Sequence, residues 1–218
     1  MKAFEAWLAT TPHPVTLFVI TDLFESEECG EWFNALLAKH GERLTVGCHG
    51  LTHRSWSAWP EDGEGFEASL KQATAVLKEK AGGHFRPWFR APAGYIAPWM
   101  ATTLAGQGYT VDSSVNPSWL VRKKAGKGNS WADVNDAMAQ QGVLERPWAT
   151  RFSLPVNGPA LTKFPLSVIA RGVWKKAPSV LTGSELDAAV PDSTQPLVTL
   201  YWHVLDHARN KATWTPPL

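Results

Sequence analysis

The chain has 218 residues, 44% of them hydrophobic, and its 21 basic and 20 acidic residues give a formal net charge of +1. This length and apolar content suffice for one sizeable α/β core, so we expect a single domain over residues 1–218. The near-neutral charge excludes the electrostatic footprint expected of a nucleic-acid-binding protein or of a protein bound to an anionic membrane surface.

The cysteine count and the hydropathy pattern exclude disulfide-rich proteins and membrane-spanning proteins. Cys29 and Cys48 are the only cysteines, too few for a disulfide scaffold, and we expect both thiols to be reduced. The sequence shows no run of 18 apolar residues and no signal-peptide pattern. It therefore predicts no membrane span, and a cytoplasmic location is the expectation.

Helices and strands alternate through the first half of the chain. Helical spacing ends at prolines or glycines, and each break is followed by a short apolar run. The predicted helices are 2–10, a segment from the N-cap Ser26 to Gly41, 66–80 and 96–105, and the predicted strands are 15–20, 44–48, 87–90 and 109–111. This order predicts parallel strand pairing with right-handed crossovers.

The second half is less regular. A polar excursion over 116–142 contains a short helix at 131–141, and an edge strand is predicted at 143–147. A helix at 161–171 follows, and the apolar run 196–202 predicts an interior strand that ends at His203.

Two histidines lie four residues apart directly after the strand 44–48. His49 and His53 are expected on a loop or first helical turn, where residues i and i+4 project to the same side and can share one metal ion. The alternative is that nearby backbone groups satisfy both rings, because two ligands alone do not make a zinc site.

Arg90, Asp112 and His203 also follow predicted strands. In a parallel barrel, residues at the carboxyl ends of the strands face one rim, where the active site lies. Each has a structural alternative: the arginine could bind a carboxylate or carbonyl, the aspartate could form a turn, and the histidine could pack in the core. Their joint placement favours a functional site.

Five segments, in this order, resemble successive motifs of the NodB-type polysaccharide deacetylases, the carbohydrate esterase family 4. The segments are 16–19 (TLFV), 48–53 (CHGLTH), 89–94 (FRAPAG), 108–114 (GYTVDSS) and 200–203 (LYWH). The resemblance implies a distorted (β/α) barrel, here incomplete, that hydrolyses N-acetyl groups on sugars with one divalent metal ion, for which we expect zinc.

The resemblance also implies residue roles. His49 and His53 would be metal ligands, although Gly50 stands where the family motif commonly has serine or threonine. Arg90 would orient the catalytic base, and the backbone N–H of Ala93 would face the developing oxyanion.

His203 would be the general acid of the same reaction. Asp112 is a plausible carboxylate to tune it. We therefore expect the His203 ring across the pocket from the histidine pair and within hydrogen-bonding reach of a carboxylate, with Asp112 as the first choice. Trp202 should point to the opposite side of the strand and pack beneath a helix.

One family motif has no counterpart in this sequence. It is a strand ending in paired aspartates, one acting as the general base and the other as the third metal ligand. Asp22 is the nearest substitute for that ligand, although its setting is also typical of a loop or capping residue. Without this motif, the strand at 15–20 should lie at an unpaired edge of the sheet.

The expected partner is an N-acetylated sugar or polysaccharide. Two alternatives remain open. A catalytically weak or inactive glycan-binding relative would keep a groove lined by some of the twelve tryptophans, whose flat rings suit sugars. Another metal-dependent amidohydrolase would carry a closely spaced histidine pair near the first strand, where His13 stands alone between prolines.

Overall fold

The computed structural model describes residues 1–177 and 181–218 and is built around a parallel sheet. The sheet has five strands in the order β1-β2-β3-β4-β5. Its strands are β1 (Val15–Val19), β2 (Leu44–Cys48), β3 (Phe85–Phe89), β4 (Val111–Asp112) and β5 (Leu144–Glu145). A separate antiparallel pair is formed by β6 (Thr150–Arg151) and β7 (Leu154–Pro155). The fold is therefore α/β, and in the described residues the barrel does not close, as expected.

The helices connect and cover these strands. They are α1 (Lys2–Thr10), α2 (Glu27–His40), α3 (Gly63–Ala81), α4 (Met100–Gly106), α5 (Trp131–Gln140), α6 (Leu166–Trp174), α7 (Gly183–Ala189) and α8 (Arg209–Ala212). From α1 to α5 each helix contacts the next, and α3 packs on β2 and β3. Within residues 1–177 and 181–218, none of these helices is both long and apolar enough to cross a bilayer.

Local sequence explains where α2 begins and which side it buries. The Ser26 side chain accepts a hydrogen bond from the Cys29 N–H at 3.4 Å, as expected of an N-cap. Glu27 and Glu28 occupy the first turn, where acidic side chains complement the helix dipole. The apolar side then packs into the core through Phe33, Leu36 and Leu37.

The first strand lies at the edge of the sheet. β1 pairs with β2 in parallel register, from Val15 opposite Leu44 to Val19 opposite Cys48. Among the described residues no strand pairs with its other side. This confirms the expectation of an unpaired edge beside the first strand, whereas β2 is buried along its whole length.

Prolines displace the starts of two predicted helices. The helix predicted from residue 96 begins at Met100, because Pro98 disfavours the helical conformation at the residue before it. The helix predicted from residue 161 begins at Leu166, directly after Pro165, which lacks a backbone donor. The predicted edge strand at 143–147 is confirmed only over β5.

The segment 196–202 does not form the predicted interior strand. A single bridge joins Thr199 to Trp148, after which the Tyr201 N–H donates to the Asn157 side chain at 3.2 Å. These partners are irregular, so no ladder develops.

The apolar composition of that segment instead reflects side-chain packing. The Trp202 ring lies 5.3 Å from the Trp7 ring of α1 and 5.9 Å from the Trp174 ring of α6. The prediction that Trp202 packs against a helix is confirmed, although the strand that motivated it is absent.

Candidate active site

The carboxyl ends of the five parallel strands bring polar side chains to one edge of the sheet. The residues at or just beyond the ends of β1 to β5 are, in order, Asp22, His49, Arg90, Asp112 and Glu145. Parallel strands direct these ends the same way, which is where α/β folds place their sites. The sequence predicted the first four at this rim and missed Glu145.

His49 and His53 form a close pair on the loop that follows β2. Their ring centroids are 5.5 Å apart at an interplanar angle of 72°. Two imidazoles that share one tetrahedral zinc, with Zn–N bonds of about 2 Å, have centroids about 5 Å apart. The His49 Nδ1 lies 2.6 Å from the Arg90 carbonyl oxygen. That contact leaves the other ring nitrogen for a ligand, the usual arrangement of a metal-binding histidine.

The conformation of this loop explains why a glycine follows His49. Gly50 has a φ of +94°, a left-handed value that other residues rarely adopt. A Cβ there would lie 3.1 Å from the Thr52 carbonyl oxygen. The loop is tied to the end of β1 by a hydrogen bond from the Thr21 N–H to the Gly50 carbonyl at 3.1 Å.

The surroundings of His49 favour its neutral form. Burial is the main cause that lowers its pKa to about 3, and the charges of Arg90, His53 and His203 act in the same direction. The hydrogen bond to the Arg90 carbonyl opposes them. A neutral imidazole is the form that binds a metal. The Tyr201 ring connects His203 to this rim, because it lies 5.7 Å from the His203 ring and 5.2 Å from the Arg90 guanidinium.

Asp22 does not join the histidine pair as a third metal ligand. Its setting matches the alternative, a loop or capping residue. It lies in the 3-10 helix Thr21–Glu25, where its N–H donates to the Leu51 carbonyl at 2.9 Å. Among the described residues no three histidine, cysteine, aspartate or glutamate side chains are grouped to hold a metal ion. The His49/His53 pair would therefore supply two imidazole ligands to a metal ion.

Arg90 is fixed beside the histidine pair by hydrogen bonds and aromatic contacts. Its Nε donates to the Ser113 carbonyl and one terminal nitrogen donates to the Ser113 hydroxyl, each at 2.9 Å. The guanidinium lies 4.4 Å from the Phe18 ring centroid and 5.2 Å from that of Tyr201. Burial lowers the Arg90 pKa to about 10, so the group is still cationic at neutral pH.

The turn after Arg90 holds Ala93 in a left-handed conformation, with φ 53° and ψ 15°. Such a conformation costs a non-glycine residue about 1–3 kcal/mol and often marks a functional site. The N–H groups of Gly94 and Tyr95 donate to the Ala91 and Pro92 carbonyls. Neither bond uses the Ala93 N–H, which is the donor that the sequence assigned to the oxyanion.

Asp112 supports this turn instead of contacting His203. Its buried carboxylate accepts hydrogen bonds from the Ser114 hydroxyl at 2.6 Å and from the Ser114 N–H at 3.2 Å. The same hydroxyl accepts one from the Ala91 N–H at 2.8 Å. The expected pairing of Asp112 with His203 is therefore wrong, because this carboxylate is directed into the sheet and fixes the turn before Ala93.

The carboxylate that reaches His203 belongs to Asp206. Its Oδ2 accepts a hydrogen bond from the His203 N–H at 3.0 Å and lies 3.5 Å from the ring Nδ1. Arg209 donates to the other oxygen at 2.7 Å. Asp206 is buried whereas the His203 side chain is 56% exposed. The spacing of three residues in sequence was the signal that could have identified this partner.

Glu145 is the rim residue that sequence reasoning missed. It lies directly opposite Asp112 in the β4–β5 register, and both side chains are enclosed. Burial, followed by the charge and hydrogen bond of Asp112, raises the pKa of Glu145 well above its usual value. The pair therefore retains a proton, and Arg90 balances its remaining charge. An acidic residue directly after the apolar pair Val143–Leu144, in a predicted edge strand, was the available signal.

A raised pKa makes a testable contribution to stability. The folded state keeps a proton on Glu145 that the unfolded chain releases above pH 4.5. The contribution of Glu145 to stability should therefore be greatest below that pH and fall as pH rises toward the folded pKa, by up to about 1.4 kcal/mol per pH unit. Glu145→Gln keeps the shape without the titration, so its free energy of unfolding should depend less on pH. Urea denaturation across this range measures the difference. As a control, Glu31→Gln at an exposed position should keep the wild-type dependence of the free energy of unfolding on pH. The same dependence in Glu145→Gln as in the wild type would contradict the shared proton.

Comparisons with known proteins identify the family and the fold. The family model described as polysaccharide deacetylase matches residues 2–111. No curated protein matches the chain significantly. A solved structure from Mycobacterium smegmatis, assigned as a polysaccharide deacetylase, is 20% identical with a TM-score of 0.50, and the match covers 92% of this chain and 62% of that one. At this identity the likeness shows the fold alone.

A second solved structure, IcaB from Ammonifex degensii, is 22% identical with a TM-score of 0.45. The match covers 69% of this chain and 62% of that one. The matches thus span less than two thirds of either solved chain.

Proposed function

This chain belongs to the polysaccharide deacetylase family, and from that premise we propose that it hydrolyses N-acetyl groups of a carbohydrate with one divalent metal ion, zinc. The observation that carries the proposal is the placement of the His49/His53 pair against the turn of Ala93. The His49 ring contacts the Arg90 carbonyl, and a Cβ on Gly50 would lie 3.6 Å from the Pro92 ring. A metal-binding pair and an oxyanion donor would thus face the same amide group.

His49 and His53 would hold the ion through imidazole nitrogens, which suit zinc. When bound, a divalent ion supplies Lewis-acid stabilisation of negative charge. The protein's own contribution is to hold the His49 ring neutral and oriented. Burial keeps the ring neutral, and the hydrogen bond to the Arg90 carbonyl orients it.

In amide hydrolysis a water molecule would form a new C–O bond at the acetyl carbon, so that the acetyl group leaves as acetate with a proton passing to solvent. The other rim residues would have separate tasks in this reaction. The Ala93 N–H would donate a hydrogen bond to the acetyl oxygen as that oxygen gains negative charge. His203 would transfer a proton from its ring Nε2 to the nitrogen of the departing amine as the C–N bond breaks. Asp206, at 3.5 Å from Nδ1, would hold the ring in the orientation that this transfer needs.

Two tryptophans could receive the sugar rings that flank the acetylated one. Trp59 and Trp119 are 64% and 61% exposed. Trp59 directly follows the 3-10 helix Trp56–Ala58, which contacts the 3-10 helix that begins at Trp119. The segment Trp56–Ala58 continues the loop that carries the histidine pair. A pyranose ring stacked on an indole would bury apolar surface that is now in water.

Acetate release from oligomers of N-acetylglucosamine tests the proposal. The wild-type protein with zinc should release acetate and form one free amine for each acetate. The Trp119→Ala variant should show a higher KM for the oligomers, with a smaller effect on the monosaccharide. A protein that contains stoichiometric zinc yet releases no acetate from any N-acetylated oligomer would contradict the proposed reaction.

A glycan-binding role without catalysis is the second candidate. It is favoured by one observation, that the described residues group no three metal ligands. A binding protein should retain N-acetylglucosamine oligomers equally well with and without a chelator, without releasing acetate. Binding measured in the same way for Trp59→Ala and Trp119→Ala would then be weaker than for the wild type.

A further inference from the structure

Three consecutive basic residues lie on the 3-10 helix Trp119–Ala125, and only the last one turns inward. Arg122 and Lys123 are exposed, whereas Lys124 is half-buried. The Lys124 ammonium donates to the Ala93 carbonyl at 2.6 Å and lies 5.2 Å from the Tyr95 ring centroid. The cationic side chain of Lys124 therefore donates to the carbonyl of Ala93, the residue in the left-handed conformation.

The backbone of Lys124 is attached to a second loop. The buried Ser57 hydroxyl donates to the Lys124 carbonyl at 2.6 Å. Ser57 lies four residues after His53, on the segment that continues the histidine loop. Lys124 thus joins the loop of the histidine pair, through its backbone, to the turn of Ala93, through its side chain.

Two backbone hydrogen bonds close the turn around Ala93, from the Gly94 N–H to the Ala91 carbonyl and from the Tyr95 N–H to the Pro92 carbonyl. Two further contacts hold the turn, one on each side of Ala93. Before it, the Ala91 N–H is bound by the Ser114 hydroxyl at 2.8 Å. After it, Gly94 packs so closely that a Cβ would lie 2.9 Å from the Trp148 ring. The Gly94 N–H shares a peptide plane with the Ala93 carbonyl, but none of these contacts is made by that carbonyl itself. The carbonyl oxygen is bound by the Lys124 ammonium.

We propose that Lys124 is a positioning residue that holds Ala93 in its left-handed conformation and thereby sets the direction of the Ala93 N–H. The catalytic consequence rests on the proposed function, whereas the conformational consequence does not. Rotation of the Ala93 backbone to an ordinary helical or extended conformation would turn both its carbonyl and its N–H away from their present directions. Replacing the ammonium should therefore release the turn without disturbing the histidine pair.

The test compares Lys124→Met, which keeps the stem but removes the donor, with Lys123→Met as the matched control and Lys124→Arg as the conservative variant. Backbone chemical shifts of Ala93 report its conformation in the folded protein. In Lys124→Met these shifts should move toward ordinary helical or extended values, and kcat should fall roughly 10- to 100-fold with little change in KM. Lys123→Met should match the wild type, and Lys124→Arg should restore both readouts.

An Ala93→Gly background separates positioning from general stabilisation. Glycine adopts the left-handed conformation without strain, so Lys124→Met should have a smaller effect on kcat and on the shifts of residue 93 there than in the wild type. An undiminished effect would overturn the positioning role, as would unchanged Ala93 shifts in Lys124→Met.

A wild-type protein that releases no acetate would contradict the proposed function alone, because the chemical shifts still decide whether Lys124 holds the turn. If Lys124→Met does not fold, the Ala93 chemical shifts are measured in Lys124→Arg instead. Ordinary helical or extended values at Ala93 in a folded Lys124→Arg protein would contradict the proposal, since arginine can also donate to that carbonyl.

Discussion

Replacing His203 by alanine should lower kcat for deacetylation by about 10²–10⁴-fold, the usual contribution of a general acid. The side chain is 56% exposed and contacts the Tyr201 ring at one edge and the Asp206 carboxylate at 3.5 Å, so its removal should leave metal content unchanged and have little effect on stability. Steady-state kinetics with metal analysis of the same samples measures both quantities. Retained turnover would exclude the acid role.

Asp206 provides the companion to this experiment. Asp206→Asn keeps the size of the side chain but removes its charge beside Nδ1 at 3.5 Å. We expect a smaller fall in kcat than in His203→Ala, because the asparagine can still orient the ring, although less strongly than the aspartate does. Asp112 has a different role, and its substitution serves as the comparison. Asp112→Asn should perturb the turn of Ala93, because the Asp112 carboxylate accepts a hydrogen bond from the Ser114 hydroxyl. Equal effects on the Ala93 chemical shifts in Asp112→Asn and Asp206→Asn would contradict this division of roles.

Replacing His49 or His53 by alanine should remove the metal and abolish acetate release. Two protein ligands leave no reserve, so losing either should reduce zinc affinity far more than tenfold. Metal content after dialysis measures the effect. His84→Ala is the control, because His84 lies just before β3, at the opposite end of the sheet. Equal zinc in all four proteins would place the metal elsewhere.

The parallel sheet could be predicted because its strands are short apolar runs separated by clear helix ends. Ser26 and the glycine after α2 mark one helix, and β2 is apolar throughout. The later segment 196–202 is equally apolar but does not pair as a strand, because its backbone partners are Asn157, Gly158 and Ala149. Apolar composition reports burial, and it does not distinguish a strand from an extended segment packed between helices.

The site was predictable where strand ends carry unusual polar residues. His49, His53 and Arg90 lie on or beside the rim for that reason. Their partners could not be assigned in the same way. Asp206 reaches His203 through a local turn, and Lys124 reaches Ala93 from 31 residues away in sequence. Such contacts depend on how the loops fold over the rim, which spacing alone does not specify.

Zinc titration of metal-free protein, with acetate release measured at each addition, tests the central claim most directly. The account predicts no release from N-acetylglucosamine oligomers without metal. Release should then rise to a plateau at about one equivalent of zinc, the stoichiometry of a single site. Full activity in the metal-free protein, or zinc binding at one equivalent without any acetate release, would contradict a zinc-dependent deacetylase built on His49 and His53.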